Sequence, residues 1–223
     1  MSPRQIIAKS LEHKLDIIAV SDHNSAENVD VVMKLGKKNG VHVLPGMEIC
    51  TREEVHLLAL FDTLTHALSM QEFIYDHLPG KNRPDVFGYQ VVANEKDEVL
   101  AENPRMLIGA TQLDLHGITK QVHARGGISI AAHVDRTAYS IISQLGFIPS
   151  DLLLDAVEVS YRLPRNQAAD KIAGIGDFPC ITCSDAHRPE DIGKAWTAFL
   201  LAAPTLVEIR MALNRVDGRQ IEA

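Results

Sequence analysis

Short apolar runs, several of them closed by a histidine or an acid, alternate along this chain with stretches of helical spacing. "DIIAVS" (16–21), "VHVLPGME" (41–48), "VHLLALF" (55–61), "GISIAAH" (127–133), "DAVEVSY" (155–161), "PCITCS" (179–184) and "WTAFLLA" (196–202) read as strands. Short apolar runs bounded by polar residues suit strands buried on both faces. Helices are expected over 2–14, 25–39, 65–78, 111–125, 165–174 and 204–215. Ser2-Pro3 makes a favourable helix start, and Asn39-Gly40 and Gly174 make stops. Such alternation predicts an α/β fold with a mostly parallel sheet covered by helices. About seven strands in 223 residues favour a TIM-like (βα)7 barrel over an open sheet. In such barrels the active site lies at the C-terminal ends of the strands. Residues 79–110 break the pattern. They carry Pro79-Gly80, Pro84 and Pro104, with a hairpin expected around Asn94–Asp97. They read as a loop-and-hairpin insertion, a lid or flap, within one domain spanning 1–223.

Composition narrows the function classes. No apolar run is long enough to cross a bilayer, and no basic stretch followed by an apolar one opens the chain as a secretory signal would. The expected location is the cytoplasm, with no membrane partner. A net charge of −7 argues against nonspecific grip on a nucleic-acid backbone. It leaves room for a phosphate substrate held by bound cations. Cys50, Cys180 and Cys183 are an odd, low count that suits a reducing compartment. The C-x-x-C of Cys180 and Cys183 is read as two small buried hydrophobes. In a strand the two point to opposite faces, and no second pair exists to complete a zinc site.

The ten histidines are informative by placement. His23 and His133 each follow an apolar run, His56 opens one, and Glu48 closes another. Asp185 and His187 stand two apart beyond "CITCS": a continued strand would aim both at one point, and Ser184 and Asp185 equally suit a turn there, with Arg188-Pro189 starting the next helix. A short connection between Glu48 and His56 brings one strand end beside the next strand's start. Six candidate ligands, His23, Glu48, His56, His133, Asp185 and His187, therefore converge on one barrel mouth. Asp22 and Asp135 read as turn or cap residues. The other histidines (13, 42, 66, 77, 116, 123) read as solvated or satisfied core groups. Imidazole and carboxylate without thiolate suit zinc, manganese or iron, and a site sharing the Glu48 carboxylate suits more than one ion. Such ions activate water and clamp the oxygens of a phosphoester.

"AVSDHNSAENV", "VLPGMEICTREEVHLLALF", "SIAAHVDR", "DAVEVSY" and "ITCSDAHRPEDIG" resemble, in order, the later motifs of the PHP (polymerase and histidinol phosphatase) family. The resemblance spans roughly residues 2–200. It implies a distorted seven-stranded (βα) barrel of the PHP type with up to three divalent metals. It further implies hydrolysis of phosphoesters by a metal-bound hydroxide, on substrates from small phosphorylated metabolites and nucleotides to nucleic-acid ends. Carried over by position, His23 and His187 share one metal, and Glu48 bridges two others. His56 and His133 join Glu48 at the second, Asp185 serves the remaining one, and Asp22 accompanies His23, Glu48, Asp185 and His187 in catalysis. Arg136 and Arg162 stand where a substrate phosphate would be held; their charge and position suit a solvated surface equally.

One departure is large. The family's first strand carries H-x-H, and no two histidines here are two apart. This implies a barrel without its first strand and fewer than three bound metals. It also leaves exposed neighbouring edges, a surface for pairing into oligomers. A late start, a truncated domain and a genuine variant with weakened metal binding all fit. Beside the phosphoesterase stand two alternatives: an amidohydrolase-type metal hydrolase, and a degenerate domain serving as a module with weak or no catalysis.

Overall fold

The computed structural model describes residues 1–172, 174–176 and 178–222. Helix α1 (Pro3–Glu12) starts as its sequence dictates: Ser2 caps it in a reciprocal box with Gln5, and Pro3 takes the first helical position. Strand β1 (Ile17–Val20) follows, then α2 (Val29–Asn39), β2 (His42–Cys50) and β3 (His56–Leu60). Next come α3 (Leu64–Tyr75) and the inserted segment, with a short helix α4 (Pro84–Phe87) and a hairpin of β4 (Val91–Ala93) and β5 (Val99–Glu102). The second half runs through α5 (Leu115–Ala124), β6 (Ile128–Ala131), α6 (Ile141–Leu145), β7 (Ala156–Val159), α7 (Ala168–Lys171) and β8 (Cys180–Thr182). It ends with β9 (Phe199–Leu200), α8 (Leu206–Leu213) and β10 (Gln220–Ile221).

Six strands form one curled sheet in the order β1-β2-β3-β6-β7-β8. β1 pairs β2 in parallel, as do β6 with β7 and β7 with β8. β3 runs antiparallel to both its neighbours. The sheet is thus mostly parallel, and β3 is the antiparallel return that the short connection between Glu48 and His56 implied: only five residues separate it from β2, too few for the crossover a parallel pair requires. The expected strand at 196–202 shrinks to Phe199–Leu200 and pairs with β10 outside the main sheet. The helix expected over 165–174 breaks into a 3-10 turn (Arg165–Gln167) and the four residues of α7; residue 173 lies outside the described residues. The α2 start also moves, from Ser25 to Val29, because Ser25 to Asn28 are used in a turn.

β2, β3, β6 and β7 are nearly wholly buried, as apolar runs between two layers should be. β1 is the exception: Ile17 and Ile18 are half-buried and Ala19 is exposed. This all-apolar strand lies at the edge of the sheet. On one side of the sheet Val32, Met47, Leu57, Phe61, Ile118 and Val157 belong to a continuous core, and a smaller cluster of Leu44, Ile128, Ile130, Ile181 and Ile209 fills the other. α2 lies so close to β2 that a Cβ on Gly36 would meet Val43 Cγ2 at 2.5 Å and the Val41 carbonyl at 2.7 Å. Gly36→Ala is therefore expected to destabilise by about 1–3 kcal/mol through overpacking. This opposes the gain of about 1 kcal/mol that Ala normally brings inside a helix. Thermal unfolding with an unchanged or raised Tm would count against this account.

The 79–110 insertion contains the expected hairpin, with Asp97 in a left-handed turn conformation (φ 67°). It is not a flap over the strand ends. Asp97 accepts hydrogen bonds from Ser2 Oγ and the Arg4 amide, Asn28 clamps Val91 and Ala93, and Lys38 pairs with Glu95. The hairpin thus lies across the start of α1 and the flank of α2, and none of its residues lines the cavity described next. No helix among the described residues is long and apolar enough to cross a membrane.

Candidate metal centre

Glu48 is the point around which the site is built. It sits near the end of β2, buried to 6 % exposure. Its backbone is clamped on one side by the chain that follows β1: the Glu48 amide donates to the Asp22 carbonyl (3.1 Å) and the Asn24 amide donates to the Glu48 carbonyl (2.8 Å). That bridge sets His23 beside Glu48. On the other side, Cys50 faces His56 across the antiparallel β2–β3 pair. Glu48 and Cys50 share a strand face, so His56 is a diagonal neighbour of Glu48. The ladder continues into β6, where the Ala132 amide donates to the His56 carbonyl and delivers His133 one residue on.

Three imidazoles consequently close on one carboxylate. His56 Nδ1 lies 2.9 Å and His133 Nε2 3.3 Å from Glu48 Oε1, and His23 Nδ1 lies 3.4 Å from Oε2. One ligand atom each of His23, Glu48 and His56 fall within 4.8 Å of one another. Nδ1 of His23, of His56 and of His133 is buried with no hydrogen-bond partner. For His23 and His56, short distances to a carboxylate without directed hydrogen bonds are what ligands aimed at a shared cation present. Buried polar atoms otherwise find partners. The donor set fits zinc, manganese or iron. Burial alone would raise the Glu48 carboxyl; the close imidazoles of His133, His56 and His23 outweigh this and hold it well below the usual carboxylate range. Burial pushes the His23 imidazole down, which keeps its nitrogen unprotonated and able to ligate.

The opposite wall comes from the segment after β8. The strand stops at Thr182, so the i, i+2 alignment expected of Asp185 and His187 does not arise. Asp185 instead adopts a left-handed backbone (φ 46°) and faces Arg136, whose Nη2 lies 2.6 Å from Oδ2. His187 is 65 % exposed, held by its Nδ1 contact with the Asp185 carbonyl (3.0 Å), its ring 6.2 Å from that of His23. Both line the same cavity as Glu48, of about 710 Å³, without joining the close cluster. Arg136 and Arg162 line it too, with Lys194. Asp22 gives its backbone carbonyl to the Glu48 amide; the residue is exposed and does not line the cavity. Asp135 behaves as a cap, accepting from the Ser160 amide and hydroxyl and so tying the loop after β6 to the end of β7.

Sequence reasoning passed over three residues. Asn24 is buried in a left-handed conformation (φ 50°). Its amide donates to the carbonyls of Leu107 and Gly109, and its Oδ1 accepts from the Cys50 amide. It locks the turn carrying His23 against β2; Asn tolerates that backbone better than most residues. Tyr139 stacks on His56 (centroids 4.6 Å apart, planes at 16°), and its carbonyl accepts the His56 amide. Glu158 on β7 is buried, and its Oε1 is without a partner. Burial, with repulsion from Asp185 and Glu48, pushes its carboxyl up to about 8. A lone acid inside "DAVEVSY" was the visible signal. His133, too, has a positive φ (31°), so Asn24, His133, Tyr139 and Asp185 all carry a conformation that favours glycine. Such strain persists where surrounding structure imposes it, and it gathers at working sites.

Burial pushes the Cys180 thiol up to about 11 and the Cys183 thiol well above its usual range, which favours the protonated form of both.

Comparison with known proteins agrees with this fold. Residues 164–215 match the family model described as PHP-associated. A 111-residue stretch is 27 % identical to the uncharacterized protein YqxK of Bacillus subtilis, covering 48 % of this chain and 28 % of that one. The crystal structure of the lesion-specific endonuclease Endonuclease Q from Pyrococcus furiosus superposes with a TM-score of 0.69 at 19 % identity, over 97 % of this chain and 52 % of that chain. A two-domain protein from Bacteroides vulgatus, described as containing a predicted PHP-like metal-dependent phosphoesterase, gives a TM-score of 0.55 at 16 % identity, over 99 % and 59 %. The chain thus spans about half the length of the Endonuclease Q chain and under a third of YqxK.

Proposed function

We propose that this chain is a PHP-type protein, a metal-dependent phosphoesterase acting on nucleotide or nucleic-acid phosphoesters. The observation that carries the reading is the convergence of His23, His56 and His133 on the buried Glu48 carboxylate, at the floor of a cavity whose walls carry Arg136, Arg162 and Lys194. In this reading the three imidazoles and Glu48 hold a divalent cation, and Asp185 and His187 add donors from the opposite wall. Bound there, the cation supplies Lewis-acid stabilisation of phosphoryl charge and a lowered pKa for water. Glu48 stays anionic through neutral pH. Arg162 offers a cationic contact to phosphate oxygens, while Arg136 stays paired with Asp185 and Lys194 with Asp191.

Two findings favour a nucleotide unit over a bare phosphorylated metabolite. The fold superposes on an Endonuclease Q structure containing a 27-mer duplex with an abasic lesion at the active site (TM-score 0.70, 20 % identity). The cavity rim also carries the partly exposed aromatic rings of Tyr139 and Tyr161. The half-exposed apolar face of β1 supports a further strand beside it, which would extend the ligand set.

The test is metal analysis joined to hydrolysis. After dialysis against Mn²⁺ or Zn²⁺, the purified chain is expected to retain at least one but fewer than three ions. It should cleave bis(p-nitrophenyl) phosphate only with the cation present. A folded chain that retains no ion, or that shows no cation-dependent hydrolysis with Mn²⁺, Zn²⁺, Fe²⁺ or Mg²⁺, overturns the proposal.

A further inference from the structure

A second hollow of about 230 Å³ adjoins the metal-centre cavity, and the two share Tyr161 and Lys194 as common wall. Its other lining includes Pro164, Arg165 and Trp196. Trp196 is the chain's single tryptophan, and it is 64 % exposed; Tyr161 is 49 % exposed. Single exposed aromatics are ordinary on a folded surface, but these two rings line the same hollow. Here the rings border a concave surface beside a cavity that carries Arg136, Arg162 and Lys194 among its acids. The Arg162 guanidinium lies 5.7 Å above the Tyr161 ring, and Arg165 is braced by donating to the Glu222 carbonyl at 2.7 Å. Lys194 is held by Asp191 at 2.5 Å, between the two hollows. The arrangement has the two parts that recognition of an unpaired nucleotide requires, cationic groups for the phosphate and aromatic faces for the base.

We propose that the hollow bounded by Tyr161, Arg165 and Trp196 is a nucleobase subsite, which stacks the base attached to the phosphate held at the Glu48 cavity. The inference rests on the phosphoesterase reading for the position of that phosphate. It adds a determinant of substrate choice: a sugar phosphate lacking a base would reach the cations and gain nothing from the second hollow. Stacking tolerates any base, since every base has a π face, so the subsite selects nucleotides as a class.

Because Trp196 is the only tryptophan, its emission reports directly on the hollow, and cleavage is not needed for the readout. The chain in EDTA is titrated with 2′-deoxyadenosine 5′-monophosphate and, separately, with 2-deoxyribose 5-phosphate. Saturable quenching by the nucleotide and none by the sugar phosphate is expected. Equilibrium dialysis should show Trp196→Ala binding the nucleotide about tenfold more weakly, with Trp196→Phe retaining most of the affinity. Absence of saturable quenching, or equal affinity for the two probes, overturns the subsite. Nucleotide-specific quenching in a chain that shows no cation-dependent hydrolysis would leave the subsite standing and remove the catalytic reading. Equal binding of both probes with hydrolysis intact would do the reverse.

Discussion

Glu48→Gln is expected to lower divalent-cation affinity by at least the roughly 10–100-fold that even an outer-shell change costs a metal site, while leaving the fold in place. The substitution keeps the shape of the side chain and removes the one buried negative charge on which His23, His56 and His133 converge. A buried carboxylate close to imidazoles and a buried amide in the same place are both satisfiable, so secondary structure should survive. Calorimetric titration with Mn²⁺ and Zn²⁺, next to a far-UV spectrum, separates the two effects. His42→Ala, at the exposed start of β2, serves as the comparison and should bind like wild type. The affinity should also fall as pH drops through the imidazole range, because protons compete for the same nitrogens. The decline should be centred below the ordinary histidine value near 6.5, since burial already pushes His23 down. Unchanged affinity in Glu48→Gln would mean that the cluster does not bind the cation.

Glu158→Gln should make the metal-free protein progressively more stable than wild type as pH rises. The carboxyl is buried and raised to about 8 by burial first and by Asp185 and Glu48 second. In the unfolded chain it ionises near the usual carboxylate value. Between those two values the folded state binds the additional proton, so wild-type stability declines as pH rises across the interval and has lost this contribution above about 8. A neutral glutamine has no such loss. The displacement corresponds to a few kcal/mol, on the order of 5, which for a chain of this size is a Tm gap on the order of 10 °C opening between pH 5 and 9. Differential scanning calorimetry in EDTA across that range is the measurement. Parallel Tm curves for the two proteins would show that Glu158 is not held protonated in the fold.

Much of the architecture was legible because burial leaves a periodic mark. "VHVLPGME", "VHLLALF", "GISIAAH" and "DAVEVSY" are apolar runs whose only way to escape water is to lie between two layers, and all four do. The α1 start was readable from Ser2-Pro3 because capping is local chemistry. Edges and directions were less legible. β1 has the composition of an interior strand and sits at the sheet edge, half uncovered. Strand direction at β3 depended on the few residues between β2 and β3. The "WTAFLLA" stretch could not announce that it pairs with the chain's last residues instead of the main sheet.

The site divides along the same line. That histidines and acids follow apolar strands, and that Glu48 and His56 are separated by a short return, is written in the order of residues. The spacing alone brings those two together, because a hairpin makes near neighbours in sequence near neighbours in space. His23 and His133 reach Glu48 only through the backbone ladder joining the β1 end, β2, β3 and β6, a juxtaposition of residues more than a hundred apart. The left-handed turns at His133 and Asp185, the Arg136–Asp185 pair, the burial of Glu158 and the exposed Trp196 beside the second hollow were likewise decided by packing. Local sequence sets which residues want to leave water and which can bind a cation. Which of them meet, and in what electrostatic surroundings, is settled when distant strands compete for the same interior.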